Sequence, residues 1–523
     1  MPGTQRSRPI ILNAFSMNTV GHINHGLWTH PRDRSGEYHS LDYWTGLARE
    51  LERGLFDGLF LADIVGVYDT YGQSADVTLR ESVQLPVNDP VLVVPAMAAA
   101  TRHLSYGVTV NLSYEQPYLL ARRFSTLDHL TCGRVGWNIV TGYLDSAARA
   151  MGVAQQMPHD ERYDRADEFM DVAYQLWEGS WDDDAVLRDR ARRIYADPAR
   201  VRPVRHHGTH YRVEGYHLCE PSPQRTPVLL QAGSSGRGLR FAARHAECVF
   251  MSTQDKASTR ELVRALRAEV VRAGRHPDDV KVVVGLTAVP GATRREAEDR
   301  YQDYCRHASP EAALAHLSAG AGIDFSTYRQ DMPLLGQHRS NGIENSLRRL
   351  ANGRAHYTLG DLLEELALGG RYATVVGSPQ DIADEMQSWL DEAGVDGFNL
   401  ARTVVPESYT DFIDLVVPEL QNRGLHKTAY AEGTLRHKLA GRGDRLAPTH
   451  HGAGFRPAPG HAPCARRSKT AHMPPSGSGR RSVRRDRPLP AAPSRSGGGH
   501  ALTGVQRATA GPRLSHRQPV STR

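Results

Sequence analysis

Residues 105–142 read SYGVTVNLSYEQPYLLARRFSTLDHLTCGRVGWNIVTG, and no other stretch restricts the fold as much. Tyr106 to Asn111 is a β-branched run that ends in polar residues. Gln116 to Leu130 has helical spacing, with Leu119, Leu120, Phe124, Leu127 and Leu130 on one side. Cys132-Gly133 is a stop signal, and Arg134 to Thr141 is a second strand. Two strands joined by one crossover helix are parallel neighbours. Both run out into uncharged hydrogen-bonding groups: Thr109 and Asn111 on the first, Asn138 and Thr141 on the second. Parallel α/β folds and (β/α)8 barrels place ligands at those ends. No nucleophile with a base stands there, so the ends suit a polar, planar ligand.

The same alternation runs through most of the chain. Further strands are expected at Ile10–Phe15, Phe56–Asp63, Thr226–Ala232, Glu247–Met251, Val280–Ala288, Ala373–Val376 and Asp396–Leu400. Between them come helices, such as Leu41–Arg53 closed by Gly54, and one that starts at Asp89-Pro90. About eight strands alternating with helices predict a (β/α)8 barrel over residues 1–440. A charged excursion at about 180–226 is expected to cover the active-site face, and 307–370 reads as a helical and loop insertion. From Gly441 onward 16 basic residues face two acids, so the net charge of +6 hides −8 over residues 1–440 and +14 over the rest. The acidic folded part excludes a nucleic-acid binder. The Pro/Gly/Ser/Arg-rich stretch 441–523 is expected to be a disordered tail. Five scattered cysteines without a C-x-x-C argue for a reducing compartment, and no apolar run is long enough for a membrane span. A soluble, cytoplasmic protein is expected.

Several residues stand out chemically. Asp63 ends a buried strand, where it either caps the next loop or faces a ligand. The long loop 64–90, with Tyr68, Tyr71 and Gln84, is of functional length. His22, His25 and His30 share one loop, but no carboxylate set accompanies them, so no metal is expected. His159 and Tyr163 are four apart at the start of a helix over Pro158–Gly179, with Asp160 as its cap. TPVLLQAGSSGRG is strand, Gly/Ser turn and helix start, which is a phosphate site through free backbone N–H groups, the helix dipole and the hydroxyls of Ser234 and Ser235. Its glycine spacing is neither G-x-G-x-x-G nor a Walker A loop.

The stretches LNAFSMNTVGHINHGLWTHPRD, ERGLFDGLFLAD, EQPYLLARRFSTLDHLTCGRVGWNIVT, HDERYDRADEF, PVLLQAGSSGRG and VVGSPQDIADEMQSWL followed by DGFNL resemble one family. It is the bacterial-luciferase-like flavin monooxygenases, in the branch with nitrilotriacetate and dibenzothiophene sulfone monooxygenases. The resemblance covers roughly 9–440. It implies a barrel that binds reduced FMN and reacts it with O2 and a small-molecule substrate. The flavin would be held by Asp63, Thr109, Asn111, Asn138, His159, Tyr163, Ser234 and Ser235, with His159 as the candidate catalytic group. It also implies a separate NAD(P)H:flavin reductase and a homo-oligomer, dimer or tetramer. His22, His25 and Trp28 would line the substrate side. A deazaflavin-dependent oxidoreductase of the same fold, or a flavin-binding barrel without turnover, are the alternatives. The chain departs from the family's pattern at Thr141-Gly142, where Thr-Ser is usual, and at Ala148–Gly152, where A-R-N-F-G is usual.

Overall fold

A computed structural model describes residues 9–457, apart from 234, 336–346, 348–353, 355, 367, 369 and 371. Eight parallel strands form a closed barrel: β1 (Ile11–Met17), β2 (Gly58–Ala62), β3 (Ser105–Asn111), β4 (Val135–Val140), β5 (Val228–Gln231), β6 (Cys248–Met251), β7 (Lys281–Pro290) and β8 (Gly397–Ala401). Pairing runs β6-β5-β4-β3-β2-β1-β8-β7, and β6 with β7 closes the ring. Ala373–Gly377 is a ninth strand outside it, paired among the described residues with the Leu286–Pro290 end of β7.

The barrel interior is aromatic. Phe15, Phe60, Phe250 and Tyr372 cluster there with Leu230, Val283 and Leu435. Gly107 makes room for this, because a Cβ at that position would lie 2.7 Å from Leu230 and 3.2 Å from Phe60. The outer faces of the strands pack on the helices, as where Trp137 meets Phe124, Phe169 and Trp177.

The crossover helix runs Pro117–Leu130 as expected, but its buried face is shifted. Leu119 and Leu130 are exposed, and Asp128 is buried in their place. Its carboxylate accepts two 2.7 Å bonds from Gln224, which offset the desolvation that apolar periodicity could not anticipate. Asp160 does not cap the next helix. That helix starts at His159, and Asp160 sits in its first turn, bonded to the His159 ring.

The excursion at 180–226 forms two hairpins, Val186–Asp189 with Ile194–Ala196 and Val204–His207 with Arg212–Gly215. It lies along the outer flank of the Pro117–Leu130 and His159–Tyr174 helices. There Tyr211 packs on Phe169, His217 bonds Ser125, and Glu168 accepts the backbone N–H groups of His210 and Tyr211. Part of the 307–370 insertion sits by the strand-end loops instead. Its helix Pro310–Ala321 packs Ala312, Ala315 and Ala319 against Tyr68, Val83, Leu144 and Ala147.

The expected tail boundary at 441 is also corrected. Arg445 and Arg456 both bond the buried Glu178 carboxylate, at 2.7 and 2.8 Å. His450 is buried and bonds the His245 carbonyl, and Phe455 stacks on Tyr174. The basic composition of 441–523 concealed that these arginines have a partner inside the fold. Residues 458–523 lie outside the described residues. Among the described residues, no helix is long and apolar enough to cross a membrane.

Candidate functional site

The sheet order makes β2, β3, β4 and β5 consecutive neighbours, so their C-terminal ends form one continuous rim. Thr109 and Asn138 are in register, and the Asn138 amide donates to the Thr109 hydroxyl at 2.8 Å. That leaves the Asn138 Oδ1 buried without a partner, and the Gln231 Oε1 on β5 is in the same condition. Two buried acceptors without donors are costly in a closed core and suit a ligand that brings N–H or O–H groups.

Beyond β5 the chain turns through Gly233 into the helix Gly236–His245. Ser235 caps that helix, its hydroxyl accepting from the Gly238 N–H at 3.0 Å, and His159 Nε2 lies 3.3 Å from the same oxygen. The Tyr163 hydroxyl is 3.5 Å from the Gln231 amide nitrogen. The Arg237 guanidinium lies 5.4 Å from the centre of the Tyr163 ring, held by Asp164 and Asp167. Burial raises the pKa of Tyr163, so its hydroxyl stays protonated as a donor. Ser234 lies outside the described residues.

Asn111 is committed to a turn. Its Oδ1 accepts from the Ser113 N–H at 2.9 Å, and its amide nitrogen fills the space beside Gly142. Gly142 has φ +66°, and a Cβ there would lie 2.5 Å from that nitrogen. This accounts for glycine at a position where the family often carries serine.

Asp63 stands just past β2, half-buried, with its pKa pushed up to about 7 by burial and then by the like charge of Asp89. An unfolded carboxyl releases its proton near 3.8, so between there and about 7 the folded chain holds a proton that the unfolded chain has lost. Stability therefore falls as pH rises through that window. Asp63→Asn is expected to remove the fall and stabilise the ligand-free protein by about 1–2 kcal/mol near pH 8, with no gain near pH 4. Thermal melts of both proteins at the two pH values check this.

A second cluster borders the rim. The His25 and His316 rings approach at 3.0 Å through Nε2 and Nδ1, and His316 stacks on Tyr68. The Tyr68 hydroxyl donates to Gln84 at 2.8 Å and lies 3.4 Å from the Tyr143 hydroxyl. His22 is buried against Phe15, and burial, then Arg402 and His25, hold its pKa well below the ordinary value. His30 points elsewhere, to Asp303 and His307. Those three could offer ligand atoms to one metal ion. However, Arg32 and Arg306 already neutralise Asp303, and His30 Nδ1 accepts the Arg32 N–H. That hydrogen bond keeps the proton on Nε2, the nitrogen that faces Asp303.

A family model described as luciferase-like monooxygenase matches residues 23–397. The chain belongs to the luciferase-like monooxygenases. With the family comes the activity class, an oxygenating enzyme that acts with reduced flavin. Among its relatives, a dimethyl-sulfide monooxygenase of Hyphomicrobium sulfonivorans is 49% identical over 452 residues, covering 86% of this chain and 94% of that protein. A long-chain alkane monooxygenase of Geobacillus thermodenitrificans is 47% identical over 447 residues, covering 85% and 97%. The crystal structure of a riboflavin lyase with modified FMN and riboflavin superimposes with a TM-score of 0.80 at 38% identity, covering 86% of this chain and all (100%) of that one.

In this luciferase-like monooxygenase, the predicted residues Thr109 and Asn138 form one group, and His159, Tyr163 and Ser235 another beside it. Asp63 lies on the same rim, and Asn111 is turned into its own loop. Gln231, Arg237, Tyr143 and His316 were not singled out from the sequence. Gln231 and Arg237 flank the phosphate-type turn and were open to recognition as its neighbours. His316 gave no signal, because it reaches Tyr68 only through the packing of the Pro310–Ala321 helix.

Proposed function

We propose that this luciferase-like monooxygenase binds reduced FMN along the rim of β2 to β5 and inserts one atom of O2 into a small, uncharged organic substrate. A separate NAD(P)H:flavin reductase supplies the reduced flavin, since the chain carries no dinucleotide fingerprint. The observation that carries the reading is the pair of buried, partnerless acceptors on Asn138 and Gln231 beside a capped helix start.

The bound flavin supplies the electrons and the activation of O2. The protein's part is positioning and proton control. The turn at Gly233–Gly238 offers backbone N–H groups and the helix dipole to the phosphate, and the Ser235 hydroxyl and Tyr163 add donors. Asn138 Oδ1 and Gln231 Oε1 would accept N–H or O–H groups of the bound flavin. Arg237 fixes the Tyr163 ring through its contact with the ring face. His159 stands at the phosphate turn through Ser235, which makes it a cofactor contact and moves the proton-handling role to the His25–His316 pair. The substrate lies between that pair and the aromatic cluster of Phe15, Phe60, Phe250 and Tyr372. An apolar floor and a neutral His22 favour an uncharged guest, in line with relatives that act on dimethyl sulfide and long-chain alkanes. Cys132, Cys219, Cys248 and Cys305 are free thiols, which supports a cytoplasmic setting.

FMN is expected to bind far more tightly than riboflavin. Ser235→Ala narrows the gap by about 1.5–3 kcal/mol, the range for a charge-assisted hydrogen bond. Fluorescence titration of the two flavins against both proteins measures it. Equal affinity of the unaltered protein for FMN and riboflavin would remove the phosphate assignment.

A further inference from the structure

A cavity of about 710 Å³ lies at the opposite, N-terminal pole of the barrel, between the strand starts and the segment 427–450. Nothing in the flavin chemistry uses it. Its walls hold charges of both signs, but the carboxylates are already matched. Asp57 pairs with Lys427, Glu247 with Arg436, Asp279 with Arg442, and Asp278 with Arg267. Asp396 accepts the Val282 N–H and has Arg267 at 3.9 Å.

Three cations in the same wall make no close ion pair among the described residues, although Glu247 and Asp279 act on Arg275, and Asp57 and Glu432 on Lys438, at longer range. Arg275 is 5% exposed and donates only to the carbonyls of Ala243 and Asp279, which leaves its Nε–H buried without an acceptor. Lys438 donates to the His103 carbonyl and stands over the Tyr430 ring. Lys281, at the start of β7, makes no ion pair among the described residues. A buried guanidinium with one N–H unsatisfied is costly, and the lining holds more cations than carboxylates. The volume falls in the range of sites that enclose a nucleotide-sized molecule.

We propose that this cavity is a second binding site, distinct from the flavin rim, for a phosphorylated small molecule. Its phosphate oxygens would take the ammonium groups of Lys281 and Lys438, with the Arg275 guanidinium adding positive charge to the wall.

Isothermal titration of the full chain with ADP as the probe, with and without saturating FMN, tests it. One ADP per chain is expected, with the same affinity in both conditions. Lys281→Gln with Lys438→Gln, both at partly solvated positions, should weaken ADP at least about tenfold while FMN affinity stays unchanged. Ser235→Ala should leave ADP binding unaltered. No saturable ADP binding, displacement of ADP by FMN, or full affinity in the double lysine variant would each overturn the proposal.

Discussion

A chain ended at Ala440 is expected to melt well below one ended at Pro457. The Glu178 carboxylate is wholly buried and accepts from Thr226, Arg445 and Arg456. Ending at Ala440 removes both arginines and leaves a buried carboxylate with one hydroxyl donor. Stranding one member of a buried ion pair costs about 3–5 kcal/mol. The same cut removes Leu446, buried at 2% exposure, and the stacking of Phe455 on Tyr174. Ending at Pro457 keeps every one of these contacts. Calorimetric melts of the two shortened chains against the full one measure the difference. Equal melting temperatures would mean that the segment 441–457 contributes nothing to the fold.

Gly233→Val is expected to weaken FMN binding by more than about a hundredfold, while Gly236→Ala is close to neutral. A Cβ at Gly233 would overlap the Gln231 amide nitrogen and come within 3.2 Å of the Tyr163 hydroxyl. The branched side chain would then displace both groups that flank the turn and fill the approach to it. At Gly236 a Cβ meets only the far end of Arg240, at 3.9 Å. Two glycines of one GSSGRG stretch thus have opposite expected outcomes, which separates loss of the site from loss of the helix. Flavin titration alongside circular dichroism reads both.

These two sites also show what the sequence could and could not reveal. The barrel was legible because each strand–helix unit carries its own periodicity and punctuation: Gly54 after Leu41–Arg53, Asp89-Pro90 ahead of its helix, and Cys132-Gly133 before β4. The rim residues Thr109 and Asn138 were legible because a polar group at the end of an apolar strand has few places to point, and Ser235 because a Gly/Ser turn stands ahead of a helix start. Burial of Asp128 in place of Leu130 was not legible, since it depends on Gln224, 96 residues away. The placement of 441–457 was hidden for the same reason: Arg445 and Arg456 read as tail charges until Glu178 is seen between them. His316 joins His25 across 291 residues of sequence and stacks on Tyr68 besides, and no local pattern encodes that meeting.

The chain is expected to oxygenate an uncharged substrate with reduced flavin delivered from outside. The measurement is oxygen incorporation from isotopically labelled O2 into an alkane, whose alcohol product does not exchange its oxygen with water. The full chain is supplied with chemically reduced FMN and, in a parallel reaction, with NADH or NADPH alone. One labelled oxygen atom per product molecule with reduced FMN, and neither product nor nicotinamide oxidation without it, is the predicted result. Nicotinamide oxidation by the isolated chain, or product formed without label, would contradict the account.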